Sequence, residues 1–388
     1  MIAGLLAILS AAEEGAAESK QLAVSGQPRT YLVERPAAKG PHPAIVMLHG
    51  LNGTAERVAQ RTGLAQKGPQ EGFAVAFPQA RAAAWNRFSP GKETPQAIEL
   101  FRSVGGPPRD LEFLTMLVAE LIRSGIADPR RVYLAGESNG GFMALAMICA
   151  KPEMFAGAGL LVTSMPEDLG SECGALKPVP VLILSGTADT VVPYAGGTVA
   201  GSTINVWSTD RLLTFFRQRN GCAGAPGQSL VPGLQQRIEV EYSGPCRHAP
   251  VLLYRVVGGT HGSSPVALHA GQLMVDFFRE KGRASGATAL PRELAKSLSH
   301  VTYRRFDGSV LVTGEVRRTG TNEWLETNSR GNRWGFRTTT ESGSELVLHD
   351  ASRDVYVRLD LQARKMFFRR GATEDWRLLA DITGVTTN

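Results

Sequence analysis

A serine between two glycines is the first feature of this chain that could carry out covalent chemistry. Ser138 stands in the motif Gly-Glu-Ser-Asn-Gly at residues 136–140, after the apolar run 132–135 and before the apolar run 142–149. A tight turn from a buried strand into a helix holds such a serine with its hydroxyl exposed, and the glycines let the two elements approach. The motif also occurs by chance in flexible turns. The strand and helix that flank it here favour a nucleophile.

A carboxylate and a histidine follow at positions that suit the partners of a nucleophilic serine. Asp189 comes just after the predicted strand 179–184, and His261 lies in a glycine-flanked loop after the predicted strand 251–257. Turn aspartates are common, so Asp189 alone would be a weak candidate. The order Ser, Asp, His, each after a predicted strand, is however that of the α/β-hydrolases. We predict that Ser138 attacks, His261 acts as base, and Asp189 orients the imidazole.

The loop after the predicted central strand 44–48 is expected to complete the catalytic site. It contains two glycines, so a backbone N–H of this loop can approach the nucleophile. We predict an oxyanion hole formed by the N–H groups of Leu51 and Asn139. His49 could be taken for a base, but a histidine at a strand end beside glycine is more often a hydrogen-bonded structural residue.

Two aromatic residues are candidates for substrate binding. Trp85 lies on the long loop 79–90, at the sheet edge where open α/β sheets bind ligands. It could equally cover the core. Tyr194, in the loop that carries Asp189, is the second candidate.

The composition of the 388 residues, 43% hydrophobic and 20% charged with a formal net charge of +6, is typical of a globular protein. No Lys/Arg run clusters with aromatic residues, which argues against a nucleic-acid partner. No apolar stretch reaches the roughly 18 residues of a membrane span. The predicted chemistry needs no cofactor, no metal site is expected, and we expect a monomer.

The cysteines and the first residues favour a secreted or periplasmic protein. The apolar run 2–9 followed by small residues resembles a signal peptide, although no Lys or Arg precedes it. The four cysteines show no C-x-x-C spacing, and an even number suits disulfides. The sequence-local pairs are Cys149–Cys173 and Cys222–Cys246, each closing a loop of roughly 25 residues worth about 3 kcal/mol. The segment between Cys222 and Cys246 is predicted to be a loop excursion from the sheet. Four buried free thiols in a cytosolic enzyme remain the alternative.

The pattern of the chain changes near residue 284. Before it, strands alternate with helices; after it, apolar and polar residues alternate, as in the segment 355–361, which indicates half-buried strands. Trp324, Trp334 and Trp376 either bind a substrate surface or fill the core of this region. The predicted division is a signal peptide and disordered lead-in (1–20), an α/β-hydrolase domain (21–283), a linker (284–292) and a small antiparallel β-domain (293–388).

Several motifs occur in the same order as in a known family. The chain resembles the secreted polyhydroxybutyrate depolymerase and feruloyl esterase-like group of α/β-hydrolases over about residues 25–283, through the motifs at 48–50, 77–79, 85–86, 128–133, 136–143, 185–189, 192–197 and 219–222. The resemblance implies the triad Ser138, Asp189 and His261, and both local disulfides. It departs after His261, where Gly-Ser-Ser-Pro replaces the aromatic Trp-Pro-Gly of many members.

The function predicted from these observations is hydrolysis of carboxylic esters by a secreted serine enzyme through an acyl-enzyme. The expected substrate is an ester, either a polyester of the polyhydroxyalkanoate type, which would be an insoluble polymer, or a feruloyl or acetyl ester. The departure after His261 puts a polymer or aryl subsite in doubt. Two alternatives remain: an acyltransferase with the same triad, and a polymer-binding protein without catalysis.

Overall fold

The architecture consists of a large mixed sheet with helices and a separate β-barrel. The structure is a computed structural model and describes residues 17–89, 91–230, 236–243, 246–264, 269–284, 298–307, 310–342, 345–361 and 365–387. The ten-stranded sheet has two buried apolar clusters that belong to its two faces, and the barrel has its own core. The predicted fold class, an α/β-hydrolase fold with an additional C-terminal all-β domain, is confirmed.

The large sheet has the spatial order β1-β2-β4-β3-β5-β6-β7-β12-β11-β10. Its strands are β1 (Glu18–Val24), β2 (Gln27–Glu34), β3 (His42–Leu48), β4 (Ala74–Pro78), β5 (Ala127–Glu137), β6 (Gly157–Leu161), β7 (Val181–Gly186), β10 (Gly227–Leu230), β11 (Ile238–Tyr242) and β12 (Val251–Val256). A separate two-stranded ribbon is formed by β8 (Gly197–Thr198) and β9 (Asn205–Val206).

The helices that cover the sheet are α1 (Ala55–Thr62), α2 (Leu64–Gln70), α3 (Pro95–Leu100), α4 (Asp110–Arg123), α5 (Asn139–Ala150), α6 (Glu167–Glu172), α7 (Thr209–Arg219) and α8 (Ala270–Ala284). The central strands β3, β4, β5, β6, β7 and β12 run parallel. Because helices cover both faces, these strands are nearly continuous apolar runs. Their carboxyl ends share one edge of the sheet, and Ser138, Asp189 and His261 follow there.

Two parts of the predicted organisation are wrong. Residues 18–20, expected in a disordered lead-in, begin the edge strand β1, which pairs with β2. This pairing uses backbone hydrogen bonds, which the side-chain pattern did not predict. The segment between Cys222 and Cys246, expected as a loop, contains β10 and β11 and extends the sheet beyond β12. Ile238 and Val240 are buried there and alternate with glutamates, which was the signal for a strand.

All four cysteines form disulfides, Cys149 with Cys173 and Cys222 with Cys246. The second bond closes the ends of the segment that carries β10 and β11. The apolar run 2–9, residues 10–16 of the expected lead-in, residues 285–292 of the predicted linker and residues 293–297 lie outside the described residues. Within the part that is described, no helix has the length and apolar character needed to cross a membrane.

The barrel is a closed meander in which each strand pairs antiparallel with its neighbours. Its strands are β13 (Leu298–Asp307), β14 (Val310–Arg318), β15 (Glu323–Asn328), β16 (Arg333–Ser342), β17 (Glu345–Asp350), β18 (Val355–Asp360), β19 (Lys365–Arg370) and β20 (Arg377–Thr387). Trp324 is fully buried in the barrel core, Trp334 packs against that core, and Trp376 is half-buried. Trp324 therefore fills the core.

A buried ionic cluster joins the barrel to the α/β unit. Arg304, on β13, is only 8% exposed and pairs with Asp276 on α8. It also approaches Glu71, which follows α2, at 3.3 Å, and Arg279 of α8 pairs with the same glutamate. Burial lowers the pKa of Arg304, while Glu71 raises it. The buried charges balance, because each arginine has a carboxylate partner.

Replacing Arg304 by methionine should destabilise the protein strongly, because Asp276 would remain buried without its cation. Breaking a buried pair in this way costs about 3–5 kcal/mol. The measurement is urea unfolding of the variant beside Arg317→Met, since Arg317 is a barrel arginine whose side chain is 61% exposed. Equal free energies of unfolding for the two variants would contradict a stabilising role of the buried pair between Arg304 and Asp276.

Candidate active site

The turn between β5 and α5 places Ser138 in an uncommon backbone conformation, with φ 53° and ψ −118°. Such conformations cost of order 1–3 kcal/mol for a residue other than glycine, and persist only where the surroundings impose them. A Cβ on Gly136 would overlap the backbone of Gly140, and a Cβ on Gly140 would overlap the carbonyl groups that end β3. The two glycines of the motif are therefore required by close backbone approach.

His261 and Asp189 are joined by a hydrogen bond of 2.8 Å between Nδ1 and Oδ2. The other carboxylate oxygen of Asp189 accepts from the N–H groups of Val191 and Val192, both at 2.9 Å. The side chain of Asp189 is 3% exposed and that of His261 is 21% exposed. The carboxylate is thus held rigidly and keeps the proton of His261 on Nδ1, which leaves Nε2 free to accept another.

Ser138 and His261 line one cavity of about 1180 Å³. The same cavity is lined by Leu51, Asn139 and Trp85, and its wall is predominantly apolar. The structure therefore brings together five of the predicted site residues, with Asp189 directly behind His261.

The loop between β3 and α1 places Leu51, a residue that is 52% exposed, in the lining of this cavity. The N–H of Asn52 donates to the carbonyl of Ala83 at 2.9 Å, and that of Gly53 to the carbonyl of Gly50 at 3.0 Å. These bonds fix the backbone on the carboxyl side of Leu51. The position is consistent with the predicted use of its N–H.

Asn139 is the first residue of α5, so its N–H has no acceptor within the helix. Its side-chain oxygen accepts from the backbone N–H of Trp85 at 2.8 Å. This contact ties the loop that carries Trp85 to the helix N-terminus. The N–H of Asn139 and the positive end of α5 thus lie beside Ser138, where an anion would be stabilised.

His49 has the structural role that was preferred for it. It is 1% exposed, and its Nε2 accepts from the N–H of Ala80 at 3.1 Å. Nδ1 therefore carries the proton and donates to the carbonyl of Gly50 at 2.8 Å. Burial lowers the pKa of His49, which favours this neutral form.

Trp85 belongs to the core and also lines the cavity, so its contact with a substrate stays a prediction. It is 3% exposed and belongs to the core, and its indole N–H donates to the carbonyl of His49 at 2.8 Å. Its neighbour Asn86 donates its N–H to Asp110, which is buried and paired with Arg29 at 2.6 Å. Burial raises the pKa of Asp110 to about 6. The pair of Asp110 and Arg29 therefore anchors the loop that carries Trp85.

Tyr194, the second candidate for substrate binding, has two polar partners in the structure. Its hydroxyl donates to Asp210 at 3.0 Å and accepts from Arg255, on β12, at 2.7 Å. Burial raises the pKa of Tyr194 to about 12. Tyr194 is not among the described residues that line the cavity. Closeness to Asp189 in sequence suggested the role, but the hydroxyl is held by Arg255.

Two walls of the cavity were not foreseen from the sequence. One is the segment 94–101 with α3, which contributes Leu100, and the other is the segment 198–205 around the β8–β9 ribbon. Neither has a chemical motif, and only their contact with the sheet edge makes them part of the site. No group of His, Cys, Asp or Glu side chains suited to a metal ion occurs in the described part of the chain.

Residues 30–191 match a family model described as Esterase PHB depolymerase. The putative esterase NocK of Nocardia uniformis subsp. tsuyamanensis is 30% identical over 182 residues, 46% of this chain and 50% of that protein. Feruloyl esterase B of Piromyces equi is 31% identical over 129 residues, 32% of this chain and 24% of that protein. The chain thus spans half or less of the length of these curated relatives.

Among solved structures, an acetyl xylan esterase from Aspergillus awamori aligns with 68% of this chain and 99% of its own, at a TM-score of 0.48 and 18% identity. The sequence matches confirm the predicted resemblance to the polyhydroxybutyrate depolymerase and feruloyl esterase-like group. The family match includes Ser138 and Asp189 and ends before His261.

If Asp189 orients His261, Asp189→Asn should slow the reaction of Ser138 with a fluorophosphonate probe. The loss should be on the order of 10⁴-fold, as for turnover in serine enzymes whose aspartate is changed in this way. Asp210→Asn is the control, because Asp210 is 69% exposed and bonds to Tyr194 instead. The rate is read by mass spectrometry of the labelled peptide. A slow Asp210→Asn beside a normal Asp189→Asn would show that the wrong carboxylate was chosen.

Proposed function

We propose that this protein hydrolyses carboxylic esters through a triad of Ser138, His261 and Asp189 and a covalent acyl-enzyme. The observation that carries the proposal is the arrangement of His261. Its Nδ1 is bonded to a buried carboxylate at 2.8 Å, and its ring lines the same cavity as a serine on a strained strand-to-helix turn.

In the first half of the reaction, the hydroxyl of Ser138 attacks the ester carbonyl while Nε2 of His261 takes its proton. The negative charge on the tetrahedral oxygen is stabilised by the N–H groups of Leu51 and Asn139. Asp189 stabilises the imidazolium that forms without taking its proton. Collapse of the intermediate breaks the ester C–O bond, and His261 protonates the leaving alcohol.

In the second half, water replaces the alcohol. His261 removes a proton from water as it attacks the acyl-enzyme, and returns a proton to Ser138 when the carboxylic acid leaves. Ser138 and His261 are both partly exposed towards the cavity. Access to water therefore favours hydrolysis over acyl transfer, for which water would have to be excluded.

A binding protein without catalysis is less well supported. Such a protein has no physical need for a serine at φ 53° or for a histidine held by a buried aspartate. Strained backbone costs stability and is stored where it serves a function.

The substrate is proposed to carry a bulky apolar group. The cavity of about 1180 Å³ is larger than a short acyl chain needs, and its wall includes Phe88, Leu100, Phe142 and Val199. Polyester and feruloyl esters both fit this description, whereas an acetyl group alone would leave most of the wall without contact. The two disulfides support a secreted or periplasmic location, since such bonds persist in oxidising compartments.

The barrel is proposed to be unnecessary for the chemistry. All described residues that line the cavity lie between residues 51 and 261, before the barrel begins. The guanidinium groups of Arg358 and Arg369 approach the ring of its half-buried Trp376 at 5.1 and 4.4 Å. This is where adsorption to a polymer would be sought.

Ser138→Ala should abolish hydrolysis of p-nitrophenyl butyrate while the fold is retained. Removing one triad member lowers kcat by roughly 10⁴-fold or more. The matched control is Ser202→Ala, because Ser202 also lines the cavity but donates its hydroxyl to the carbonyl of Val199. Near-normal turnover by Ser138→Ala would remove the basis of the proposed function.

The apolar wall should give a preference for longer acyl chains. Each methylene that becomes buried contributes about 0.8 kcal/mol, so kcat/KM should rise roughly fourfold per added methylene from acetate to hexanoate esters. Leu100→Glu should reduce this preference, with Ile98→Glu as control, since Ile98 is equally exposed but is not among the described lining residues. A flat profile across chain lengths would argue that the cavity does not hold the acyl group.

A further inference from the structure

Glu137, the residue before the nucleophile, is a buried carboxylate that the triad mechanism does not use. Its side chain is 4% exposed, and Oε1 is paired with Arg61 on α1. Oε2 is buried and has no hydrogen-bond partner among the described residues. Arg61 lies 76 positions earlier in the chain, and its own side chain is 38% exposed.

A carboxylate at this point is costly. It is buried in the interior, and it lies beside the place where the attack of Ser138 creates a second negative charge, so the two would repel. Arg61 supplies the compensating charge, although burial lowers the pKa of its guanidinium. A hydrophobic residue would fill the same space without these costs. The pair therefore requires a reason other than stability.

The position of the pair beside the serine turn suggests a reason other than stability for its presence. A Cβ built on Gly50 would lie 3.4 Å from Cβ of Ser138 and 3.8 Å from Oε1 of Glu137. The carboxylate therefore lies close to Gly50, at the start of the loop that carries Leu51. Gly50 is also close to Ser138, so the carboxylate, this loop and the serine turn are neighbours.

Arg61 acts on the same loop from its other end. Helix α1 begins at Ala55, four positions after Leu51, and its first turn is capped by the hydroxyl of Thr54, which accepts from the N–H of Arg57 at 3.2 Å. The N–H of Ala55 donates to Gln79 at 2.9 Å. The loop therefore continues directly into α1. A shift of Arg61 and its helix would consequently also move Leu51.

We propose that Glu137 and Arg61 are positioning residues of the oxyanion hole. The two N–H donors belong to separate segments, Leu51 to the β3–α1 loop and Asn139 to α5. The ion pair connects these segments, because Glu137 is two positions before Asn139 and Arg61 is on α1. It sets the spacing of the two donors. This inference rests on the proposed function.

The test measures kcat, KM and the inhibition constant of an alkyl boronic acid, which forms a tetrahedral adduct with the serine. The variants are Arg61→Gln, Glu137→Gln, their double variant and Arg61→Lys. Arg57→Gln is the matched control, because Arg57 is an exposed arginine one turn earlier in α1 that bonds to Thr54 through its backbone N–H.

Arg61→Gln should lower kcat by up to about 100-fold with KM unchanged, since misplacement by about 1 Å can cost that much. The boronic acid should bind more weakly by a similar factor, because it uses the same donors. The double variant should regain part of the loss, since no unpaired charge is left. Arg61→Lys, which keeps the charge with a different reach, should fall between the wild type and Arg61→Gln.

A purely structural pair would give another pattern. If Arg61→Gln and Glu137→Gln lower the melting temperature but keep the kcat and boronic acid affinity of Arg57→Gln, the proposal is overturned. Should Arg61→Gln fail to fold, Arg61→Lys decides: parallel losses in kcat and boronic acid affinity support the proposal, and wild-type values reject it. Failure of the proposed function itself is separate, because Ser138→Ala would then hydrolyse the ester normally.

Discussion

The strained backbone of Ser138 is the constraint on which the rest of the site depends. At φ 53° the serine can be held only if β5 and α5 approach each other closely, and the glycines at 136 and 140 allow this. Gly140 also lies against the end of β3, so the loop that leaves β3 must pass the nucleophile. The turn therefore determines which loop can supply the proposed donor of the oxyanion hole, and the neutral imidazole of His49 fixes that loop through its hydrogen bonds.

The parallel sheet brings Asp189 and His261 to the edge at which Ser138 lies, which the serine turn alone cannot do. Asp189 and His261 are far from Ser138 in sequence, but they follow β7 and β12, which are hydrogen-bonded neighbours in the sheet. Their hydrogen bond closes at the same edge at which β5 delivers the serine. The barrel adds a second body that is joined through Arg304 and its carboxylates, and it contributes no described residue to the cavity. We therefore expect the chemistry and any surface binding to be separable in this architecture.

Local patterns predicted the features that depend on local structure. The serine turn was found because strand, glycines and helix are contiguous, and the placement of Asp189 and His261 followed from strands that end before them. The strand β11 was missed because two flanking cysteines suggested a loop, although Ile238 and Val240 alternate with charges. Tyr194 stays a predicted substrate-binding residue, and the sequence did not show that its hydroxyl bonds to Asp210 and Arg255.

Long-range contacts could not be read from the sequence. The pairing of Glu137 with Arg61, and of Asp110 with Arg29, joins residues 76 and 81 positions apart. Each partner looks like an ordinary charged residue until the fold buries it. Such pairs decide how rigidly a site is held, which is why the walls and supports of the cavity emerged only from the structure.

The central claim is that Ser138 becomes covalently acylated during turnover. The most direct measurement mixes the enzyme with excess p-nitrophenyl ester, quenches it in acid within the first turnovers, and maps the peptides by mass spectrometry. We expect the peptide that contains Ser138 to gain the mass of one acyl group, at the rate of the p-nitrophenol burst. Ester hydrolysis with no acyl group on that peptide, or with the acyl group on another residue, would contradict it.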